Sequence, residues 1–179
     1  MRVNFSQESA SVKKRLAQTL DMKTANAQLA DHPFLSGMSP HHLEVLATAA
    51  STKQFQKGES IFRAGEAANG FYLIEQGMVA IEGSVFEHGA ISTDCIHAGE
   101  PLGWSWLFPP YLWHYDARAV QPTTALFFNG EVLHQLCKDD LTLGHELFKR
   151  MSQVMVHRLQ ASRAKLIEAL KSAKSVHQG

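Results

Sequence analysis

The sequence predicts an α+β chain, in which a barrel or sandwich of short strands is flanked by N-terminal helices and a long C-terminal helix. Three observations predict it. The apolar period is helical at both ends of the chain and close to two in the middle. Glycines punctuate the middle at short intervals from Gly58 to Gly103. Beyond Gly144 a helical pattern runs for about 30 residues without a further Gly or Pro until the terminal Gly179.

The first helix is predicted over about Ser6–Leu29, where Val12, Leu16 and Leu20 recur every four residues. The stretch from His32 to Leu35 punctuates it. Ser39-Pro40 then marks a second helix start, with serine as the cap and proline at the first helical position. Leu43, Leu46 and Ala47 supply its apolar face. From Phe55 to Ile81, short β-rich runs alternate with Gly58, Gly65, Gly70 and Gly77. That spacing is the mark of tight turns between strands. The β pattern continues through Phe86, Ile91, Cys95 and Ile96, then through Ala117–Val120 and Ala125–Phe128. From Glu131 the helical period returns. Phe148, Met151, Met155, Leu159, Ser162, Leu166 and Ala169 alternate steps of three and four, a seam along which two helices can pair. The expected domains are a helical extension over 1–30, a β-barrel over 31–130 and C-terminal helices over 131–179, the last serving a homodimer.

Composition narrows the function classes. The chain has 179 residues, 45% hydrophobic and 19% charged, which is globular. Its formal net charge is zero, so the totals offer no surplus for a basic face on duplex DNA. Cys95 and Cys137 stand alone without CxxC spacing and are expected as reduced thiols. The first residues, MRVNFSQESASVKKRL, lack an apolar stretch of signal-peptide length, and no apolar run approaches the roughly 20 residues of a membrane span. A cytoplasmic protein with no membrane association is expected. His41-His42 point about 100° apart on a helix, and no HxH or HExxH occurs, so no metal is expected. Ser105, His114 and Asp116 are a nucleophile, a base and an acid close in sequence, but a triad is defined by geometry and not by spacing, so no enzyme activity is expected.

Four segments resemble the cyclic nucleotide-binding domain of the Crp/Fnr family. FQKGESIFRAGEAANGFYLIEQGMVAI (Phe55–Ile81) is similar to its first strands. AGEPLGWSWLF (Ala98–Phe108) is similar to its phosphate-binding cassette, DARAV (Asp116–Val120) to the strand that follows, and VLHQLCKDDLTLGHELFKRMSQVMVHRLQASR (Val132–Arg163) to its closing helices. The resemblance covers about Asp31 to Arg163. It implies a double-stranded β-helix, or jelly roll, and a regulatory role.

The resemblance also implies a site, and there the sequence departs from it. Family members that bind cyclic nucleotides place a glutamate after the cassette glycine and an arginine about nine residues later. Aligning Gly103 with that glycine puts Trp104 at the glutamate position. Aligning Ala117-Arg118-Ala119 with the family's V-R-A puts Trp113 at the arginine position, with His114 beside it. A charged hydrogen bond is worth roughly 1.5–3 kcal/mol. Loss of the arginine alone therefore weakens a cyclic phosphate by about ten- to over one-hundred-fold. An indole offers one N–H and no charge in place of a planar fork. No carboxylate lies between Glu100 and Asp116, so a shifted alignment does not restore both anchors.

The expected ligand residues are Gly103, Trp104, Ser105, Trp106, Trp113 and His114. Two readings stay open. In one, the indoles stack on a flatter, less charged small ligand that is not cAMP bound in the usual way. In the other, they fill the pocket and the domain is a protein-interaction module with an unknown partner. A true cAMP- or cGMP-binding signalling protein is the less favoured alternative. No cofactor is expected. The tail after the long helix is too short for a helix-turn-helix, so direct nucleic-acid binding is not expected either.

Overall fold

The computed structural model describes residues 29–85 and 89–176, with side chains outside 84–92 and 173–176. The helix expected over Ser6–Leu29 lies outside the described residues except for its last residue, and so do Phe86 and the Ile91 side chain. The chain divides into two compact units, one ending at Leu136 and the other starting at Cys137.

In the first unit a short helical end at 29–31 leads into a 3₁₀ turn over Pro33–Leu35. Helix α1 follows at Pro40–Ala47, and the Ser39 hydroxyl accepts the His42 N–H at 3.2 Å, as the Ser-Pro start predicts. Eight strands come next: β1 (Ala50–Phe55), β2 (Ser60–Phe62), β3 (Gly70–Gln76), β4 (Met78–Val85), β5 (Gly89–His97), β6 (Pro101–Leu102), β7 (Asp116–Ala119) and β8 (Thr123–Asn129). They form two four-stranded antiparallel sheets, ordered β1-β8-β3-β6 and β2-β7-β4-β5. This is the antiparallel jelly roll that the glycine-punctuated middle predicts.

The strands read as they pack. In β7 buried and less buried residues alternate, so one face turns to the core, whereas β8 is buried on both faces, its adjacent Ala125 and Leu126 both lying inside. β3 is buried from Gly70 to Ile74, and its sequence GFYLI is correspondingly apolar throughout. Gly70 has no alternative there, since a Cβ on it would stand 2.0 Å from the Phe128 carbonyl oxygen. Between the sheets lie Phe62, Tyr72, Ile74, Val79, Ile96, Leu102, Trp113, Ala117 and Ala125.

Helix α2 (Gly130–Asp139) starts where the Asn129 side chain accepts the Val132 N–H at 3.1 Å. In the second unit, α3 runs from Leu141 to Val176 as one helix of 36 residues. The Asp140 carboxylate opens it by accepting the N–H groups of Thr142 (2.9 Å) and Leu143 (3.1 Å). Leu143, Leu147 and Met151 are buried, whereas Phe148, Val156, Leu159, Leu166, Ile167 and Leu170 are exposed. Among the described residues no helix is long and apolar enough to cross a membrane.

Candidate functional site

The cassette begins at a turn. The Gly99 N–H donates to the Ile74 carbonyl (2.7 Å), and the Ile74 N–H donates to the Glu100 carbonyl (3.0 Å). The Glu100 carboxylate accepts the His97 N–H at 2.6 Å, so this acid shapes the turn. β6 pairs with β3 through Leu102–Tyr72 and Pro101–Leu73. The chain then passes through Gly103 at φ 89 and Trp104, and into a 3₁₀ turn over Ser105–Leu107. A positive φ of this size is routine only for glycine.

Trp113 closes the site from the far side. Its N–H donates to the Glu66 carbonyl (2.9 Å) and its carbonyl accepts the Gly65 N–H (2.8 Å). The Ala68 N–H likewise donates to the Tyr111 carbonyl (2.7 Å). These bonds tie the loop after Pro109-Pro110 to the 65–68 turn and hold its shape. They aim the Trp113 indole inward, where it is 5% exposed and stacks on Phe62 with ring centres 3.9 Å apart and planes 10° apart. A Cβ on Gly103 would stand 2.7 Å from Trp113 Cζ3 and 2.8 Å from Cη2. The indole therefore lies directly over the cassette glycine.

The other expected residues divide into two groups. Ser105, 7% exposed, has its hydroxyl 3.1 Å from His114 Nδ1. Trp106 is buried between Phe71, which it faces at 5.8 Å and 15°, and the edge of His134 at 5.1 Å. Its carbonyl accepts from His134 Nε2 at 3.1 Å. The structure thus brings Gly103 together with Trp113, and Ser105 with His114, while Trp106 joins the cluster around Phe71. Trp104 is half-buried.

The remaining charges of the region are engaged elsewhere. Arg118 pairs with Glu82 across β7 and β4 through both Nε and Nη2. Asp116 Oδ1 accepts the Ala64 N–H at 2.7 Å. From Gly103 to Tyr115 the chain carries no Asp, Glu, Lys or Arg. The site is aromatic, with Ser105 and His114 as its hydrogen-bonded polar pair. Among the described residues no group of three or more His, Cys, Asp or Glu is placed to hold a metal ion.

Sequence reading missed two contributors. Phe62 was legible as a strand residue, but nothing in its spacing pairs it with Trp113, because that pairing crosses 51 positions of chain. His134 is one of ten histidines, and no local pattern marks it as the partner of the Trp106 carbonyl.

The family model of the cyclic nucleotide-binding domain matches residues 52–140, and through this segment the chain belongs to that family. Solved structures of the same fold include a cyclic nucleotide-binding domain from Methylobacillus flagellatus, with 16% identity, a TM-score of 0.72 and coverage of 79% of this chain and 82% of that one. The regulatory domain of protein kinase A from Toxoplasma gondii, solved with cAMP, shows 22% identity and a TM-score of 0.64 over 76% of this chain and 52% of that one. The regulatory subunit of a cAMP-independent protein kinase A from Trypanosoma brucei shows 24% identity and a TM-score of 0.63 over 76% and 49%. Among curated proteins, no match to the chain is found.

Proposed function

We propose that this chain is a non-catalytic regulatory domain in which aromatic side chains fill the phosphate-binding cassette, and that it does not take cAMP in the manner the family resemblance implies. The single observation that carries this reading is the Trp113 indole, stacked on Phe62 and lying over Gly103. At the arginine position implied by the family resemblance, a buried aromatic ring stands in place of a guanidinium. Fold alone does not choose between nucleotide binding and its loss, since a cAMP-bound relative and a cAMP-independent one resemble this chain equally well. The site residues favour the loss. Arg118 does not substitute, because Glu82 holds it on the neighbouring strand. A plugged cassette makes the domain an interaction module whose output is a protein contact. A small uncharged ligand beside half-buried Trp104 is the second reading.

A ligand that binds only the folded state raises stability by RT ln(1 + [L]/Kd), about 2.7 kcal/mol at one hundred times Kd. Millimolar cAMP is therefore expected to leave the melting temperature unchanged. A rise of several degrees would defeat this reading.

Self-association through α3 follows from its exposed apolar residues. Leu159 is 53% exposed, Leu166 61% and Leu170 56%, all on the helix where the seam is expected. Sedimentation at tens of micromolar is expected to show a dimer, and Leu159→Glu with Leu166→Glu is expected to give a monomer of unchanged helix content. A wild-type monomer at those concentrations would remove this part of the proposal.

A further inference from the structure

We propose that His32 is a proton-operated latch: neutral, it fastens the segment entering the barrel to the turn that begins the cassette, and protonated, it lets that segment go. This inference stands apart from what the cassette binds, because its input is a proton and the His32 ring bonds to Phe34 and Ile74, outside the 103–114 segment.

The two ring nitrogens have fixed and different roles. Nδ1 accepts the Phe34 N–H at 3.2 Å, and Nε2 lies 3.2 Å from the Ile74 carbonyl oxygen. A backbone N–H only donates and a carbonyl only accepts, so the ring is neutral, with its proton on Nε2. His32 is 5% exposed. A proton added to Nδ1 removes the acceptor of the Phe34 N–H, sets two donors against each other and places a cation in a buried site.

What the latch holds is specific. The same Ile74 carbonyl accepts the Gly99 N–H at 2.7 Å, so His32 and the cassette turn share one anchor. Pro33 packs on that turn, since a Cβ on Gly99 would stand 3.2 Å from Pro33 Cγ. Phe34 sets its edge on Phe71, and Phe71 stacks on Trp106 of the cassette. Freeing the His32–Leu35 turn therefore uncovers Phe71 and removes one wall of the cluster that supports the cassette. The Gly99–Ile74 bond survives, so the cassette turn itself persists.

The ionisable groups carried by the packed elements are few. Asp31 precedes His32, Glu75 follows Ile74 on β3, and His97 and Glu100 flank Gly99 in the turn. Glu100 is occupied by the His97 N–H. Burial raises the Glu75 carboxyl above its usual range. For His32, burial lowers the imidazole below its ordinary value and outweighs the bond to Ile74, which acts the other way. A histidine with a lowered folded value contributes its full stability above the unfolded value of about 6.5, and loses it as pH falls toward the folded value. The latch opens on acidification.

Amide exchange measured by NMR tests this. Between pH 7.5 and 5.0 the protection factor of Phe34, corrected for intrinsic exchange, is expected to fall about tenfold or more, while that of Leu126 in β8 holds. In His32→Gln, which keeps a donor for Ile74 and cannot take up a proton, the Phe34 value is expected to stay level across the same range. A level Phe34 value in the wild type, or an equal fall in the variant, overturns the proposal. Should the variant not fold, the wild-type His32 ring titration decides. A midpoint below about 6.5 that the Phe34 amide shift follows supports the latch. A midpoint at or above that value, or a Phe34 amide that does not follow it, overturns it.

Discussion

Replacing Trp113 by alanine is expected to destabilise the domain by about 3–5 kcal/mol, the usual cost of truncating a buried tryptophan. The indole is 5% exposed, stacks on Phe62 at 3.9 Å and belongs to the core between the two sheets. Truncation removes that stack and leaves a void beside Gly103. The neighbouring backbone is tied by the Trp113–Glu66 and Gly65–Trp113 hydrogen bonds and resists collapse. Urea unfolding would read the loss as a lower midpoint at unchanged slope. A loss under about 1 kcal/mol, a typical surface or mildly perturbing value, would mean the indole is not core.

Gly103→Ala is expected to cost about 2–5 kcal/mol, from two sources. A non-glycine residue at φ 89 meets a left-handed penalty of about 1–2 kcal/mol. The added Cβ also falls 2.7 Å from Trp113 Cζ3, and overpacking of this kind costs about 1–3 kcal/mol. The sources separate in a double-mutant cycle. With Trp113→Ala in the background only the backbone penalty remains, so the Gly103→Ala cost should fall to about 1–2 kcal/mol. Strict additivity would show that the indole and the glycine do not share space.

The fold was legible because its signals are local. Period, glycine spacing and the Ser39 cap each act within a few residues, and the strands and helices of the described residues follow them. The cassette was also visible as the run from Ala98 to Phe108. What the sequence left open was whether Trp113 lines a pocket or fills it. That depends on Phe62 and on the Gly65–Glu66 backbone, which meet Trp113 only after β2 and β7 pair across more than 50 positions. The exposed face of α3 was readable only as a candidate seam, since exposure of Leu159 and Leu166 depends on what covers them. His32 reads in the sequence as punctuation. Its two opposed hydrogen bonds come from residues 2 and 42 positions away, and no spacing rule links them.

On the proposed reading the Trp113 indole occupies the place where a cyclic phosphate would sit. The most direct measurement is a titration of cAMP to about millimolar concentration into isotope-labelled protein, following the Gly103–Leu107 amides and the Trp113 indole N–H. None of these signals is expected to move in a saturable way. Saturable shifts at micromolar cAMP, centred on Gly103 and Trp113, would contradict it and return the domain to the nucleotide-binding members of its family.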